Sequence, residues 1–484
     1  MRTAIDHFVG ILIASRSDNI ERANRRSRSK IVLALLALVL AASGCGTIPN
    51  ARELIHTRFL YFEKPRFVGP YGPVPQERSE EIIARIKSHQ ETPTDILERQ
   101  MAFEQAVSNV PLVLGNKVTL LENGSATYDA MLAAIRGATS SINLEMYIIS
   151  DGPIGEKFAD ALIERRQHGV RVHVIYDSLG SIATPASFFD RMRANGIGVV
   201  QFNPINPLSA RLHWSPSHRD HRKMLIVDGR IAFTGGINIS EVYASGIRSG
   251  ERKQSAPYWR DTDVEIEGPA VAEFQRLFID DWRREGGLPL DRSIYFPPPQ
   301  QGGKHIVRVV GSVPEQFSLI YVDLISAVVN SETDVYITDA YFAPDRQMLR
   351  VLKHAARRGV DVRLLLPSQS DEPFIVSASR SHYAGLLKSG VKIYEWRGEM
   401  LHAKTATIDG VWSTVGTSNL DWWSIARNNE INAIILSHEF GGEMDTMFKN
   451  DIEVSQPIEL AQWRRRPWRE RLHEFFARMI EPLL

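Results

Sequence analysis

The chain has 484 residues, 43% of them hydrophobic, which is enough for two or three domains with sizeable cores. Lysine plus arginine and aspartate plus glutamate balance at 57 each, so net charge gives no argument for nucleic acid as a partner, and none is expected. The only cysteine is Cys45, which excludes an internal disulfide framework.

From the N-terminus, Arg22, Arg25, Arg26, Arg28 and Lys30 precede the apolar run 31–42, too short to span a bilayer, and Ser43, Gly44 and Cys45 follow. This is a signal-peptide layout over 1–44. A cysteine directly after a small-residue pair resembles a bacterial lipoprotein lipobox, although Ala42 stands where the usual pattern has Leu, Val or Ile. A lipid anchor at Cys45 is therefore expected, holding the chain to the cell envelope at the periplasmic face; the alternative is a plain secretory cleavage site or an uncleaved anchor. Residues 45–112 read as tether and cover. Pro65, Pro70, Pro73 and Pro75 suit an extended linker, and two helix-like stretches follow at 77–88 and 94–108. Ile96, Leu97, Met101, Phe103 and Ala106 give the second an apolar face.

Next comes a unit that is written twice. A strand-like run at 142–149 leads into a helix that ends ERRQHGVRVHVIYD at 164–177, with Gly169 as its stop, and ANGIGVVQF follows at 194–202. Its counterpart has a strand at 335–342, HAARRGVDVRLLLP at 354–367 with Gly359 as the stop, and KSGVKIYEW at 388–396. PPPQQGG at 297–303 is the joint between the two. The expected fold is α/β: two duplicated domains, 113–296 and 305–455, joined by a linker at 297–304. Each should be a mainly parallel sheet with helices on both faces, the pair packed with pseudo-two-fold symmetry.

Each unit closes on the same pattern, HRKMLIVDGRIAFTGGIN at 221–238 and HAKTATIDGVWSTVGTSN at 402–419. A neutral imidazole attacks phosphorus or hands over a proton near neutral pH, which makes His221 and His402 the reactive pair. Strand alternation puts Lys223 and Lys404 on the same face as the histidines, where they can neutralise phosphate oxygens. Gly235, Gly236, Gly416 and Thr417 let the backbone approach a ligand, and the amides of Asn238 and Asn419 can donate to a phosphate oxygen. Asp228 and Asp409 belong to the motif and are grouped with the catalytic set. Yet they lie seven residues beyond the histidines, where hydrogen-bonding a turn or pairing across the interface suits them better than chemistry. An acid on the other imidazole nitrogen should fix each tautomer. Glu430 is the candidate in the second unit, and Asp261 or Asp263 in WRDTDVEIEGPAV in the first, the choice between them open.

The doubled motif is the signature of the phospholipase D superfamily. WRD…EGPAV, ITDAYFAPD, GVKIYEW followed by MLHAKTATIDG, and GTSNLD with a downstream Asn428-x-Glu430 resemble bacterial cardiolipin synthases from about residue 110 onward. Many members carry Arg-Ser where this chain has Trp423-Ser424, beside the head-group pocket. Well-known members open with two membrane-spanning helices, whose place the N-terminal anchor is expected to take. The resemblance implies phosphatidyl transfer between two phosphatidylglycerol molecules through a phosphatidyl-histidine, with His221 as nucleophile and His402 as acid and base. It implies no cofactor and no metal. The alternative is a phospholipase D-type hydrolase of lipid phosphodiesters, or a nuclease with the same catalytic groups. The C-terminal segment, 456–484, sets Arg464, Arg465, Arg466, Arg469 and Arg471 beside Trp463, Trp468, Phe475, Phe476, Met479 and Ile480. That composition suits an anionic membrane surface, or a terminal helix packed on the second unit.

Overall fold

Two equivalent seven-stranded arrays are joined edge to edge. A computed structural model describes residues 65–88, 96–108, 110–206, 217–244, 259–314 and 316–480, with Asn50 and Ser215 besides. Residues 1–44, expected to be a signal peptide, and Cys45 lie outside the described residues.

Two short strands, β1 (Phe67–Gly69) and β2 (Gly72–Pro73), and two helices, α1 (Gln76–Ser88) and α2 (Ile96–Val107), lead in. The first half then runs β3 (Leu112–Glu122), α3 (Asn123–Gly137), β4 (Ser141–Met146), α4 (Pro153–Gln167), β5 (Arg171–Asp177), α5 (Ala186–Ala194) and β6 (Gly198–Phe202). It continues with β7 (Arg219–Asp220), β8 (Lys223–Val227), β9 (Ile231–Gly235), β10 (Thr262–Glu267) and α6 (Val271–Arg284). The second half repeats the order: β11 (His305–Ser312), α7 (Leu319–Asn330), β12 (Asp334–Thr338), α8 (Arg346–Arg357), β13 (Asp361–Pro367), α9 (Pro373–Leu387) and β14 (Lys392–Trp396). Then follow β15 (Thr405–Ile408), β16 (Trp412–Gly416), β17 (Asn428–Leu436), α10 (His438–Glu453), β18 (Gln456–Pro457) and α11 (Trp468–Ile480).

In the first half the strand order is β6-β5-β4-β8-β9-β10-β3, and in the second β14-β13-β12-β15-β16-β17-β11; β3 pairs antiparallel with β11 and joins them. The parallel order expected from the βαβ units holds over three strands in each half, where α4 and α5, or α8 and α9, provide the crossovers. Beyond them the sheets are antiparallel, because each motif folds as a hairpin. Asp228-Gly229 and Asp409-Gly410 take positive φ of 53° and 62°, and 52° and 59°, which is the turn that Asp-Gly favours between twisted strands.

The motif aspartates leave the catalytic set for this reason. The Asp228 carboxylate accepts from the amides of Thr139, Ser140 and Ser141 and from the Thr139 hydroxyl, at 2.7–3.2 Å. Asp409 repeats the pattern on the amides of Glu332, Thr333 and Asp334 and the Thr333 hydroxyl. Each aspartate fastens its hairpin to the loop that opens β4 or β12. Asp228→Ala removes several charge-assisted hydrogen bonds at once and puts a β-carbon without a partner into a left-handed conformation. It should cost about 2–4 kcal/mol of stability, read as a lowered midpoint in denaturant, while Asp228→Asn should recover a good part of it.

One apolar core is shared between the halves. Val264, Ile266, Phe274 and Phe278 of the first half pack with Val415, Ile431, Ala433 and Phe440 of the second. The segment expected to be tether and cover is partly structural: β1 pairs with β3, and Met101 and Phe103 of α2 enter the second half's core beside α7. There Arg308 is buried between Glu104 and Asp323, and the Trp412 indole donates to Glu104 at 3.0 Å.

Candidate active site

Because both hairpins descend from the same repeat, the joined halves bring His221 and His402 to equivalent places, and each histidine is gripped by the half it does not belong to. Asp220 pairs with Asn429 in the β7–β17 ladder, and the His221 amide donates to the Asn429 carbonyl at 2.9 Å. Leu401 bridges Arg260, and the His402 amide donates to the Arg260 carbonyl at 2.7 Å. Glu430 follows Asn429, and Asp261 follows Arg260. The crossing therefore delivers each acid to the opposite imidazole: Glu430 to His221 Nδ1 at 3.0 Å and Asp261 to His402 Nδ1 at 2.7 Å. The expectation paired each acid with its own unit; the register across the interface reverses that.

A carboxylate on Nδ1 leaves the Nε2 lone pair of a neutral imidazole for chemistry. Both histidines are buried, and burial lowers their pKa, that of His402 to about 4, with the two lysines adding to the effect. Glu430 and Asp261 stay ionised although burial opposes it, because the imidazole beside each draws its pKa below the usual range. The ammonium groups of Lys223 and Lys404 donate to the carbonyls of His221 and His402 within their own motifs, the first at 2.8 Å. Burial brings Lys223 down to about 7 and lowers Lys404 as well.

Asp263 does not reach a histidine. It accepts from the Ile237 amide at 3.1 Å, bracing the Gly-Gly turn, and burial together with Asp261 holds its pKa well above the usual carboxylate range. Its counterpart, two residues after the second acid, is Asn432, which accepts from the Ser418 amide at 3.3 Å. A neutral amide thus stands at the place where the carboxylate's pKa is raised. The motif glycines have a steric role here. A β-carbon on Gly236 would lie 2.1 Å from Asp261 Oδ1, whereas Thr417 at the matching place donates to Glu430 at 2.5 Å.

The asparagines brace rather than stand free. Asn238 accepts from the Ile148 amide and donates to the Tyr243 hydroxyl, which lies 3.3 Å from His402 Nδ1. Asn419 donates to Ser424 at 3.2 Å, so the residue after Trp423 contacts the motif directly.

Aromatic residues complete the site, and the motif alone did not reveal them. Tyr147 stands edge-on to His221, with ring centroids 5.0 Å apart, under the Lys223 ammonium; Tyr341 stands edge-on to His402 at 5.8 Å, under Lys404. Trp259 and Tyr243 enclose His402 further, at 5.1 and 5.7 Å. A signal was present, since both tyrosines recur at the end of the repeated strand, in LEMYII and TDAYFA. The two sides also differ. Behind His221, Arg222 is buried among Asp281, Glu145 and Asp220, the only trio among the described residues with a metal-like grouping; the guanidinium lies within it, in contact with Asp281 and 3.9 Å from Glu145. Behind His402 the neighbours in sequence are Leu401 and Ala403.

The sequence profile of the family described as "Cardiolipin synthase, PLD-like domain" matches residues 131–282 and 324–452, one match per half. A cardiolipin synthase of Geobacillus thermodenitrificans is 32% identical over 379 residues, covering 77% of this chain and 74% of that one. Cardiolipin synthase 1 of Bacillus anthracis is 35% identical over 374 residues, covering 75% and 72%. Among solved structures, the phosphatidylserine synthase of Haemophilus influenzae superposes with a TM-score of 0.61 at 14% identity, over 79% of this chain and 99% of that one, a likeness of fold.

Proposed function

Since the chain belongs to the cardiolipin synthase family of phospholipase D-like proteins, we propose that it transfers a phosphatidyl group from one phosphatidylglycerol to the head-group hydroxyl of a second, giving cardiolipin and glycerol. The observation that supports this reading is the reciprocal pair of imidazole–carboxylate contacts, each acid supplied by the opposite half, with each histidine also in electrostatic reach of the other half's lysine. In the first step His221 Nε2 forms a bond to phosphorus, and the phosphorus–oxygen bond to glycerol breaks as that oxygen takes a proton from His402. In the second step His402 takes the proton of the incoming hydroxyl, whose oxygen bonds to phosphorus as the phosphorus–nitrogen bond breaks. Lys223 and Lys404 balance the charge on the non-bridging oxygens. Tyr147 and Tyr341 hold imidazole and ammonium in place by ring contact.

For His402 to act first as an acid it must be protonated when substrate is bound. Burial and the lysines alone disfavour that proton. A phosphodiester anion reverses the balance, raising the pKa of His402 and of Lys223, which starts from about 7. Proton uptake should accompany anion binding: a group whose pKa rises on binding gains protons at any pH between its two values. Titration calorimetry with tungstate at pH 7.5, in buffers of different ionisation enthalpy, should read roughly one proton taken up per site, and Lys223→Met should lower the figure.

The reaction is tested with labelled phosphatidylglycerol and lipid analysis. Cardiolipin and glycerol should appear together; phosphatidic acid without cardiolipin would make the chain a hydrolase. At the N-terminus the same reading takes Cys45 as a lipid attachment site on the periplasmic face of the envelope. Incorporation of labelled palmitate, lost in Cys45→Ala, checks it.

A further inference from the structure

The C-terminal helix is packed the wrong way round for a helix that only completes a core. α11 lies on α9 through Glu474 and Ala477, which are buried, and the Glu474 carboxylate is tied to Arg466. Its large apolar residues point outward: Trp468, Leu472, Phe475, Phe476 and Met479 are between 44% and 68% exposed. Their spacing makes one stripe along the helix. Arg464, Arg465, Arg469, Arg471 and Arg478 are exposed around it.

A second set of exposed apolar residues stands beside the active site, once in each half. In the first, the loop after β5 carries Leu179, 43% exposed, and Ile182, 66% exposed. The same loop holds the strand end bearing Tyr147, since Ser181 donates to the Tyr147 carbonyl and accepts from the Ile149 amide. In the second, Tyr341 donates to Asp371 in the loop after β13, and Phe374, 60% exposed, follows three residues later at the start of α9. Each tyrosine touches its own half's histidine, so an apolar tip flanks the site on both sides of the pseudo-two-fold. α9 connects the two sets: Phe374 lies in its first turn, its Arg380 lies within electrostatic reach of Glu470, and Tyr383 packs on Trp463.

We propose that the stripe of α11 and the tips Leu179, Ile182 and Phe374 are the surfaces by which the chain docks on an anionic phospholipid bilayer, with the two-histidine site held at the lipid surface. A scattered exposed leucine needs no explanation, but an aromatic stripe bordered by arginines does. Arginine is drawn to an anionic bilayer, and Trp and Phe favour the head-group boundary. A second copy of the chain would present the same arginines to each other. The positive border selects a negative surface instead.

The proposal rests on the lipid reading of the site, and its test does not depend on turnover. In the full chain carrying Cys45→Ser, a polarity-sensitive dye is attached to Met479→Cys, Phe374→Cys or Ile182→Cys, with Asp160→Cys on the exposed face of α4 as control. With vesicles of phosphatidylcholine and phosphatidylglycerol, the dyes at 182, 374 and 479 should shift to the blue and be quenched by brominated acyl chains, and the dye at 160 should not. Partition into phosphatidylcholine alone should be at least about tenfold weaker, a difference that shrinks as salt is raised. Dyes that stay in water on vesicles to which the chain is bound would overturn the proposal, as would equal partition into both vesicle types. A shift without vesicles that grows with protein concentration would assign the face to a second copy. Cardiolipin synthesis with unshifted dyes would leave the function standing and remove only this surface.

Discussion

Asp261→Asn should lower turnover by about three to four orders of magnitude while the chain stays folded, and Asp263→Asn, two residues away, should leave most of it. Asp261 is the acid on His402 Nδ1. An amide there can present its N–H to the imidazole and stabilise the wrong tautomer, and it cannot balance the imidazolium that forms when His402 holds the proton. Burial and Asp261 hold the pKa of Asp263 well above the usual carboxylate range, and Asn432 stands at its place in the other half, so an amide reproduces its hydrogen bond to the Ile237 amide. Glu430→Gln should act like Asp261→Asn, but through His221, in the opposite half. Steady-state rates with unchanged circular dichroism check the contrast. Similar losses for both aspartate variants would mean that the strand end, and not the Asp261 carboxylate, is what matters.

The second expectation separates the two histidines. His221→Ala should abolish transfer by at least about five orders of magnitude from any phosphatidyl donor, because the proposed nucleophile is gone. His402→Ala should fail as completely with phosphatidylglycerol, whose glycerol leaves poorly without a proton. With phosphatidyl-p-nitrophenol, whose leaving group needs no acid, the same variant should release about one equivalent of nitrophenolate in a burst and then stall, since no base activates the acceptor. The burst is read by absorbance. Its presence in His221→Ala instead would exchange the two roles.

Much of this site is legible in the chain. The doubled motif locates both histidines and both lysines, and the repeated strand and helix-stop sequences establish the duplication. Asp228-Gly229 and Asp409-Gly410 announce hairpin turns, which explains why the motif aspartates hold loops rather than chemistry and why the sheets are parallel over only three strands in each half. The acids were the harder part. Glu430 and Asp261 are recognisable as candidates, but which imidazole each reaches depends on how the halves face one another, and that is set by the shared core around Val264, Ile266, Val415 and Ile431. A local sequence contains none of it. The choice between Asp261 and Asp263 does leave a trace, because Glu430-x-Asn432 in the second half corresponds to Asp261-x-Asp263 in the first, and only the leading residue is acidic in both. The tyrosines under the lysines leave a fainter one, a recurrence inside strands that otherwise read as buried scaffold.

The proposed reaction needs one composite site in which His221 carries the phosphatidyl group while Asp261 and His402 manage the proton. The most direct measurement is to quench the unmodified chain during turnover on phosphatidylglycerol labelled at phosphorus, digest it under conditions that preserve phosphoramidates, and sequence the labelled peptide. The label should be found on the peptide that contains His221, at a level that falls once the acceptor is in excess. Label on the His402 peptide, or cardiolipin formed with no label on either histidine, would contradict it.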